Sequence, residues 1–365
     1  MYCEQWEAVY DDFNFFQWFR DVIFMEGKSV DHKLFNNVLV IAGGSRGNKS
    51  AANNQSKLIL ILTKIFDEID LVTFCDNGHS FHLPEDRVHH LDPCNNLILS
   101  FIADQLHELK AIRTISRRKN FDLLIFTMGR DLHILPILYA KMKGKKVVLR
   151  SSGRPTKIIS EYLGDKYIVK SMLFKIIEEI NYRIVDRIFT ECEYAIIEND
   201  FEKYEKAYSA NLYIDTVRFY CKKEYSERQF DVGYIGRFSE EKGILDLIKS
   251  IKLITRKKPD LKVFIAGEGN LLTEMIGLIG NENIQHNITL HRWIPHSDLP
   301  DYLNEIKLIL IPSVREGLPN MALEAMACRT TVLATPVGSI PGVIRNGETG
   351  FIIEENTPDG ISNCV

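Results

Sequence analysis

The stretch LILIPSVREGLPNMALEAMACRTTVLATPVGSIPGVI, residues 308–344, reads as one strand, loop, helix and strand in succession. An unbroken apolar run ends at Ile311, as expected of a strand buried on both faces. A polar loop carrying Glu316 follows, and a helix begins near Pro319, a residue whose fixed φ suits a first helical turn. Backbone amides from Gly317 through Met321 then cluster at a helix N-terminus, a natural binding place for hydroxyls and phosphates. Glu324 sits about one and a half turns into that helix. With Glu316 before the helix and Glu324 on it, the two carboxylates can grip different parts of one elongated ligand. Taken alone, two glutamates at that separation carry no meaning, and Glu324 in ALEAMA reads equally well as an ordinary helix residue.

Working outward, the same alternation of short Val/Ile/Phe-rich runs and longer amphipathic stretches extends from residue 37 onward. This predicts an α/β chain with parallel sheets covered on both faces. The expected strands are Val38–Ala42, Leu71–Phe74, Leu123–Thr127, Val147–Leu149 and Arg187–Thr190 in the first half. In the second half they are Val232–Gly236, Lys262–Ala266, Ile288–Leu290, Leu308–Ile311 and Thr331–Ala334. The polar stretch at 211–230 interrupts the alternation and reads as an interdomain linker. The chain therefore divides into a helical extension at 1–35, a Rossmann-like domain at 36–210, the linker, and a second Rossmann-like domain at 231–365. Such domains bind ligands at the carboxyl ends of their strands, so two facing each other would make a cleft with a ligand on each wall.

Composition limits the alternatives. At 365 residues, with 45% hydrophobic and 26% charged residues, the chain is long and apolar enough for two cores. A net charge of -4 offers no whole-chain case for a nucleic-acid partner. The seven cysteines are scattered and never arranged as C-x-x-C, which suggests neither a zinc site nor a disulfide framework and fits a reducing cytosol. The N-terminus lacks the pattern of a secretion signal. The longest apolar run, Leu58–Leu62, falls far short of the roughly 18 residues of a membrane span. The aromatic-rich 1–35 segment has an acidic polar face, so a helix packed on the domain surface is favoured over a membrane-surface helix.

Two further stretches carry chemistry. In VGYIGRFSEEKGILDLI, residues 232–248, a strand runs through Gly236 into a turn with Arg237 and Lys242 before an amphipathic helix. Two cations at such a turn can neutralise a diphosphate in place of a metal ion. The bland alternative, a solvated turn in which they pair with Glu240 and Glu241, has equal weight. In VFIAGEGNL, residues 263–271, Gly267 and Gly269 follow a strand. Lacking Cβ atoms, they let backbone approach a phosphate or base closely, although a simple tight turn is the preferred reading.

The segment from 229 to 355 resembles the donor-binding domain of the retaining glycosyltransferases of family 4, glycosyl transferases group 1, which have the GT-B fold of two facing Rossmann-like domains. The matching pieces are GRFSEEKG, AGEG, HRWIPHSDLPDYL, and EGLPNMALEAMA with its E-x7-E pair. A weaker resemblance covers 37–228, in GGSRG, GKKVVLRSSG and NLYIDTVRF. The resemblance implies that Arg237 and Lys242 hold the donor diphosphate and stabilise the leaving nucleoside diphosphate. Glu316 would contact the transferred sugar and Glu324 the ribose hydroxyls. Backbone around Trp293 and Ile294 would meet the base, and Gly317, Leu318, Pro319 and Asn320 would bring amides against sugar and phosphate. It further implies transfer with retention and without a protein nucleophile. No D-x-D motif occurs, which agrees with a metal-independent enzyme needing no cofactor.

On the acceptor side, Ser152 stands in LRSSGRP where the family commonly has a histidine. His133, after another strand, is a substitute candidate, with a partly exposed helix histidine as the favoured alternative. Gly43 and Gly44 plausibly border acceptor or phosphate, or form a tight turn. The family continues beyond the equivalent of TGFIIEENTPDGISNCV with closing helices, so an incomplete second domain is expected. SRRK (116–119) and KMKGKK (141–146) read as solvated helix surface, with contact to anionic lipid headgroups as the alternative. The expected function is transfer of a sugar from a nucleotide-sugar to a polysaccharide or lipid-linked acceptor, in the cytoplasm or peripherally at the membrane face. A non-catalytic nucleotide-sugar-binding scaffold is the alternative, and an epimerase or phosphorylase ranks third.

Overall fold

The computed structural model describes residues 37–43, 49–74, 81–92, 100–127, 129–157, 168–210, 214–317 and 319–365. The 1–35 segment, Gly44 and Leu318 lie outside them. The chain divides into two compact units, Met1–Asn211 and Leu212–Val365.

In the first unit the strands are β1 (Asn37–Ala42), β2 (Glu68–Thr73), β3 (Val88–His90), β4 (Leu123–Thr127), β5 (Lys146–Arg150), β6 (Arg187–Thr190) and β7 (Ala207–Ser209). The helices are α1 (Lys49–Thr63), α2 (Ser100–Arg118), α3 (Ile134–Met142), α4 (Ile168–Ile184) and α5 (Glu193–Glu198). All strands run parallel in the order β3-β2-β1-β4-β5-β6-β7. The run VLVIA is buried throughout because its alternate side chains enter two different cores. Val38 and Val40 pack with Ile59 and Leu62, whereas Leu39 and Ile41 pack with Ile112 and Ile137.

The second unit repeats the plan with β8 (Phe230–Ile235), β9 (Val263–Ala266), β10 (Ile288–His291), β11 (Ile306–Ile311), β12 (Thr331–Ala334) and β13 (Phe351–Ile352). Its helices are α6 (Ile244–Lys257), α7 (Leu272–Asn281), α8 (Leu299–Glu305), α9 (Asn320–Ala327) and α10 (Pro358–Cys364). The parallel order is β10-β9-β8-β11-β12-β13. One face, with Val232, Val263 and Leu333, takes Leu247, Ile248 and Ile251 of α6; the other, with Phe264, Ile309 and Val332, takes Leu303 of α8 and Ala322 of α9.

Residues 214–230, read from sequence as a linker, are part of this second unit. Ile214 and Phe219 are buried in its core. The buried guanidinium of Arg228 donates to the Ile306 carbonyl (2.8 Å), the Cys328 carbonyl (2.8 Å) and Thr330 Oγ1 (2.7 Å). Lys222 N donates to Asn304 Oδ1 at 2.6 Å. The polar composition that suggested a tether instead supplies donors that satisfy carbonyls at helix and strand ends.

In both sheets the strand order reverses between the first and fourth strands, at β1/β4 and at β8/β11. A crevice opens outside the carboxyl ends of strands at such a point, because the flanking connections leave to opposite faces.

Candidate active site

At the β8/β11 reversal two loops lean on each other. The turn after β8 passes through Gly236, Arg237 and a short 3-10 segment at Glu240–Lys242 before Gly243 opens α6. Gly243 has φ +67, and a Cβ there would fall 2.0 Å from the Pro312 carbonyl oxygen after β11. Only glycine permits that contact. Val314 N then donates to the Glu241 carbonyl at 2.9 Å, fastening the loops together. Across this junction Lys242 Nζ donates to Glu316 Oε1 at 2.6 Å, and Ser313 Oγ donates to the same oxygen at 2.7 Å. Thr335 Oγ1, beyond β12, holds the Ser313 carbonyl.

The two cations thus differ. Lys242 pairs with Glu316 rather than with Glu240 or Glu241, and both partners are largely shielded, with side chains 22% and 10% exposed. Arg237 does pair with Glu241, at 3.1 Å, but its side chain is 61% exposed and the ion pair weakly held. A lysine ammonium has three donors. Glu316 takes one, which leaves capacity for phosphate oxygens.

Gly267 and Gly269 serve close packing of the protein against itself. A Cβ on Gly267 would lie 1.8 Å from the Gly236 carbonyl oxygen, and one on Gly269 would lie 2.1 Å from that of Phe238. Phe238 N donates to the Glu268 carbonyl (2.9 Å), and Leu271 N to the Phe238 carbonyl (3.1 Å). The AGEG loop therefore braces the turn carrying Arg237. Tyr234 adds a strut by donating from its hydroxyl to the Arg237 carbonyl at 2.7 Å. Burial raises the Tyr234 phenol above its ordinary pKa, so it stays a donor at neutral pH.

Glu324 occupies a separate environment. On α9 its side chain is 4% exposed, and Oε1 lies 2.8 Å from His296 Nε2. The His296 ring packs against Phe219 at 5.3 Å between centroids. His296 is not among the residues expected from sequence; its one signal there is that it is the second histidine of HRWIPHSDLPDYL, and its pairing with Glu324 depends on segments 28 residues apart meeting. Trp293 is 43% exposed, while Ile294 next to it is buried in the core. Asn320 is the first residue of α9, and Pro319 before it is buried. The Gly317 carbonyl accepts from Ser339 N at 2.9 Å. Gly338, at φ +55, would place a Cβ 2.0 Å from the Glu316 carbonyl oxygen, so the loop after β12 seats the loop carrying Glu316.

In the first unit, Gly43 N donates to the Thr127 carbonyl at 3.1 Å, and its own carbonyl accepts from Gln55 Nε2. Both of its polar groups are thus used within the protein. His133 departs from the expected partly exposed helix residue. It is 4% exposed, its Nδ1 lies 2.7 Å from Glu108 Oε2, and its Nε2 lies 3.2 Å from Arg130 NH1. Arg130 Nε also sits 3.0 Å from Glu108 Oε1. Beside this cluster, buried Asp131 accepts from the Tyr182 hydroxyl at 3.0 Å, and burial pushes its carboxyl up to about 6. Ser152 is exposed and donates to Glu191 Oε1 at 3.0 Å. His133 is therefore held by internal charges, and Ser152 faces solvent.

Over nearly its whole length the chain superposes on HepE of Anabaena, solved in complex with UDP, with a TM-score of 0.70 at 14% identity, covering 90% of this chain and 88% of that one. Sucrose-phosphate synthase of Thermosynechococcus elongatus gives 0.69 at 17% identity with the same coverage. The chain has the GT-B fold. Residues 218–365 match the family model of the glycosyl transferases group 1. The capsular polysaccharide biosynthesis glycosyltransferase CapM of Staphylococcus aureus is 34% identical over 139 residues, 37% of this chain and 36% of CapM. Alpha-D-kanosaminyltransferase of Streptomyces kanamyceticus is 29% identical over 120 residues, 33% of this chain and 31% of that enzyme. The matched part spans about a third of the length of these curated relatives. Among the described residues no helix is long and apolar enough to cross a membrane.

Proposed function

We propose that the chain is a retaining glycosyltransferase that moves a sugar from a nucleoside-diphosphate sugar to a hydroxyl of a polysaccharide or lipid-linked acceptor. The observation that carries this reading is the Lys242–Glu316 pair bridging the loops after β8 and β11, with Arg237 on the same turn. In that role Lys242 and Arg237 bind the diphosphate and stabilise the charge that develops as the sugar C1–oxygen bond breaks. In the same reading Glu316, held by Lys242 and Ser313, takes the sugar hydroxyls, and Glu324 with His296 takes the ribose. The acceptor oxygen bonds to C1 on the face the diphosphate leaves, and its proton passes to a diphosphate oxygen. Neither glutamate acts as a nucleophile, and no metal is assigned a part. UDP and UDP-glucose, bound in the HepE structures, are the first donors to try.

The test is calorimetric titration with UDP, GDP and ADP, without metal and then with magnesium, followed by donor turnover with and without acceptor. Binding of one nucleotide without metal and turnover of its sugar would support the reading. A folded chain that binds none of the three would sink it, and binding without any turnover would favour the scaffold alternative.

A further inference from the structure

Away from both strand-order reversals, a cavity of about 340 Å³ lies between the edge strand β3 and helix α2 of the first unit. Leu91, Ala111 and Ile115 give it apolar wall area, while His107, Lys110 and Arg118 line it with cationic or protonatable groups. The volume falls at the lower end of the range for small-molecule sites.

The distribution of acids around this cavity is uneven. On the neighbouring surface Glu68 pairs with Lys119 and Arg87, and Asp70 pairs with His89. Those basic groups are neutralised within the fold. By contrast, His107, Lys110 and Arg118 are exposed and have no ion-pair or hydrogen-bond partner for their side chains among the described residues. The lining contains one acid, Asp92, which itself has an interaction partner.

Spacing puts the unpaired groups on one face of the helix. His107, Lys110, Thr114 and Arg118 follow the 3.6-residue repeat along one stripe of α2, the stripe that faces the cavity. A basic residue at Arg118 is accounted for by the helix C-terminus, which favours cations. That effect fades within the last turn, so it does not account for Lys110 or His107 in mid-helix. Lys110 and Arg118 both add positive potential to this concave wall, which favours an anion there.

We propose that this cavity binds a phosphate-bearing ligand, with the phosphate oxygens on Lys110, Arg118 and His107 and the attached carbon skeleton against Leu91, Ala111 and Ile115. The phosphate belongs either to a soluble ester or to a lipid headgroup. The site does not depend on the transferase reading, since none of its residues belongs to the second unit.

The full chain is titrated with inorganic phosphate, followed by phosphorus NMR line broadening. In parallel it is co-sedimented with vesicles of phosphatidylcholine alone and of a four-to-one phosphatidylcholine and phosphatidic acid mixture. Each arm includes Lys110→Glu/Arg118→Glu, with Arg117→Glu as a charge control on the same helix and Arg237→Ala to remove binding at the second unit. Thermal melts establish that each variant is folded. Saturable phosphate binding, weakened at least about tenfold in the double variant and kept in Arg117→Glu and Arg237→Ala, is the expected result. Sedimentation with the phosphatidic acid vesicles, lost in the double variant, identifies a lipid source; phosphate binding without sedimentation identifies a soluble one. The proposal is overturned if neither probe binds, if Arg117→Glu weakens binding as much as the double variant, or if only Arg237→Ala abolishes it.

Discussion

Arg237 and Lys242 share one turn but not one environment, and their substitutions should separate accordingly. Arg237 is solvated and loosely paired, so Arg237→Ala should change stability by less than about 0.5 kcal/mol while weakening nucleotide binding by roughly 10- to 100-fold. Lys242→Ala removes the cation beside a nine-tenths buried carboxylate, so it should lower both affinity and the urea midpoint. Equal stability losses in the two variants would contradict this division. Asp131 offers a pH test. Its folded carboxyl titrates near 6 against an ordinary value of 3.8, because burial disfavours the charge. The folded state then holds more protons than the unfolded state between these values, and stability falls as pH rises through that window. The change is on the order of 3 kcal/mol. Asp131→Asn should flatten this part of the stability profile and leave the protein at least as stable as wild type at neutral pH; an unchanged slope would remove Asp131 as its source. These partnerships were only half legible in the sequence. Cations after a strand, and glutamates flanking a helix start, are visible as patterns, whereas the choice of Glu316 over Glu240 for Lys242 depends on two loops far apart in the chain meeting.

Among the elements, the central strands could be read because burial on both faces leaves near-continuous apolar runs such as VLVIA and LILI. The three strands with no sequence signal, β3, β7 and β13, all lie at sheet edges and are two or three residues long. With one side unpaired and half-exposed side chains, an edge strand needs neither length nor strict alternation. Glycine patterns were visible but open to two meanings, and the geometry gives these glycines a packing role within the protein. Gly267 and Gly269 pack onto the turn with Arg237, and Gly338 packs onto the loop with Glu316. Substitution therefore acts on the site through backbone displacement. Gly338→Ala places a methyl 2.0 Å from the Glu316 carbonyl oxygen at a φ that L-residues avoid. It should cost about 1–3 kcal/mol and weaken nucleotide binding, although Gly338 is assigned no ligand contact. Gly347→Ala is the control. Its φ of +77 carries the backbone penalty alone, because nothing lies within 4 Å of the new methyl. A loss of affinity in Gly347→Ala matching that of Gly338→Ala would show that the effect is general destabilisation.

At the scale of the whole molecule, the two units have separate cores. The buried clusters around β1–β7 draw on residues up to Ala210, and those around β8–β13 begin at Ile214. Residues 214–230 are committed to the second group, with Phe219 in its core and Arg228 capping carbonyls of Ile306 and Cys328. The sequence showed a break in periodicity here and nothing of this commitment, because polar residues that bind backbone groups look the same in a list as polar residues in solvent. A boundary placed at 231 would discard these contacts and leave the core position of Phe219 empty. One placed at 212 keeps them. A fragment of residues 212–365 should therefore unfold cooperatively in urea, whereas 231–365 should be less stable by at least about 3 kcal/mol, from the lost aromatic packing and the unsatisfied carbonyls. Since Arg237, Lys242, Glu316 and Glu324 with its His296 partner all lie within the longer fragment, it should also bind the same nucleoside diphosphate as the full chain. Equal stability of the two fragments would show that 214–230 is a tether after all, and a folded 212–365 fragment without nucleotide affinity would contradict the assignment of the nucleotide to these residues.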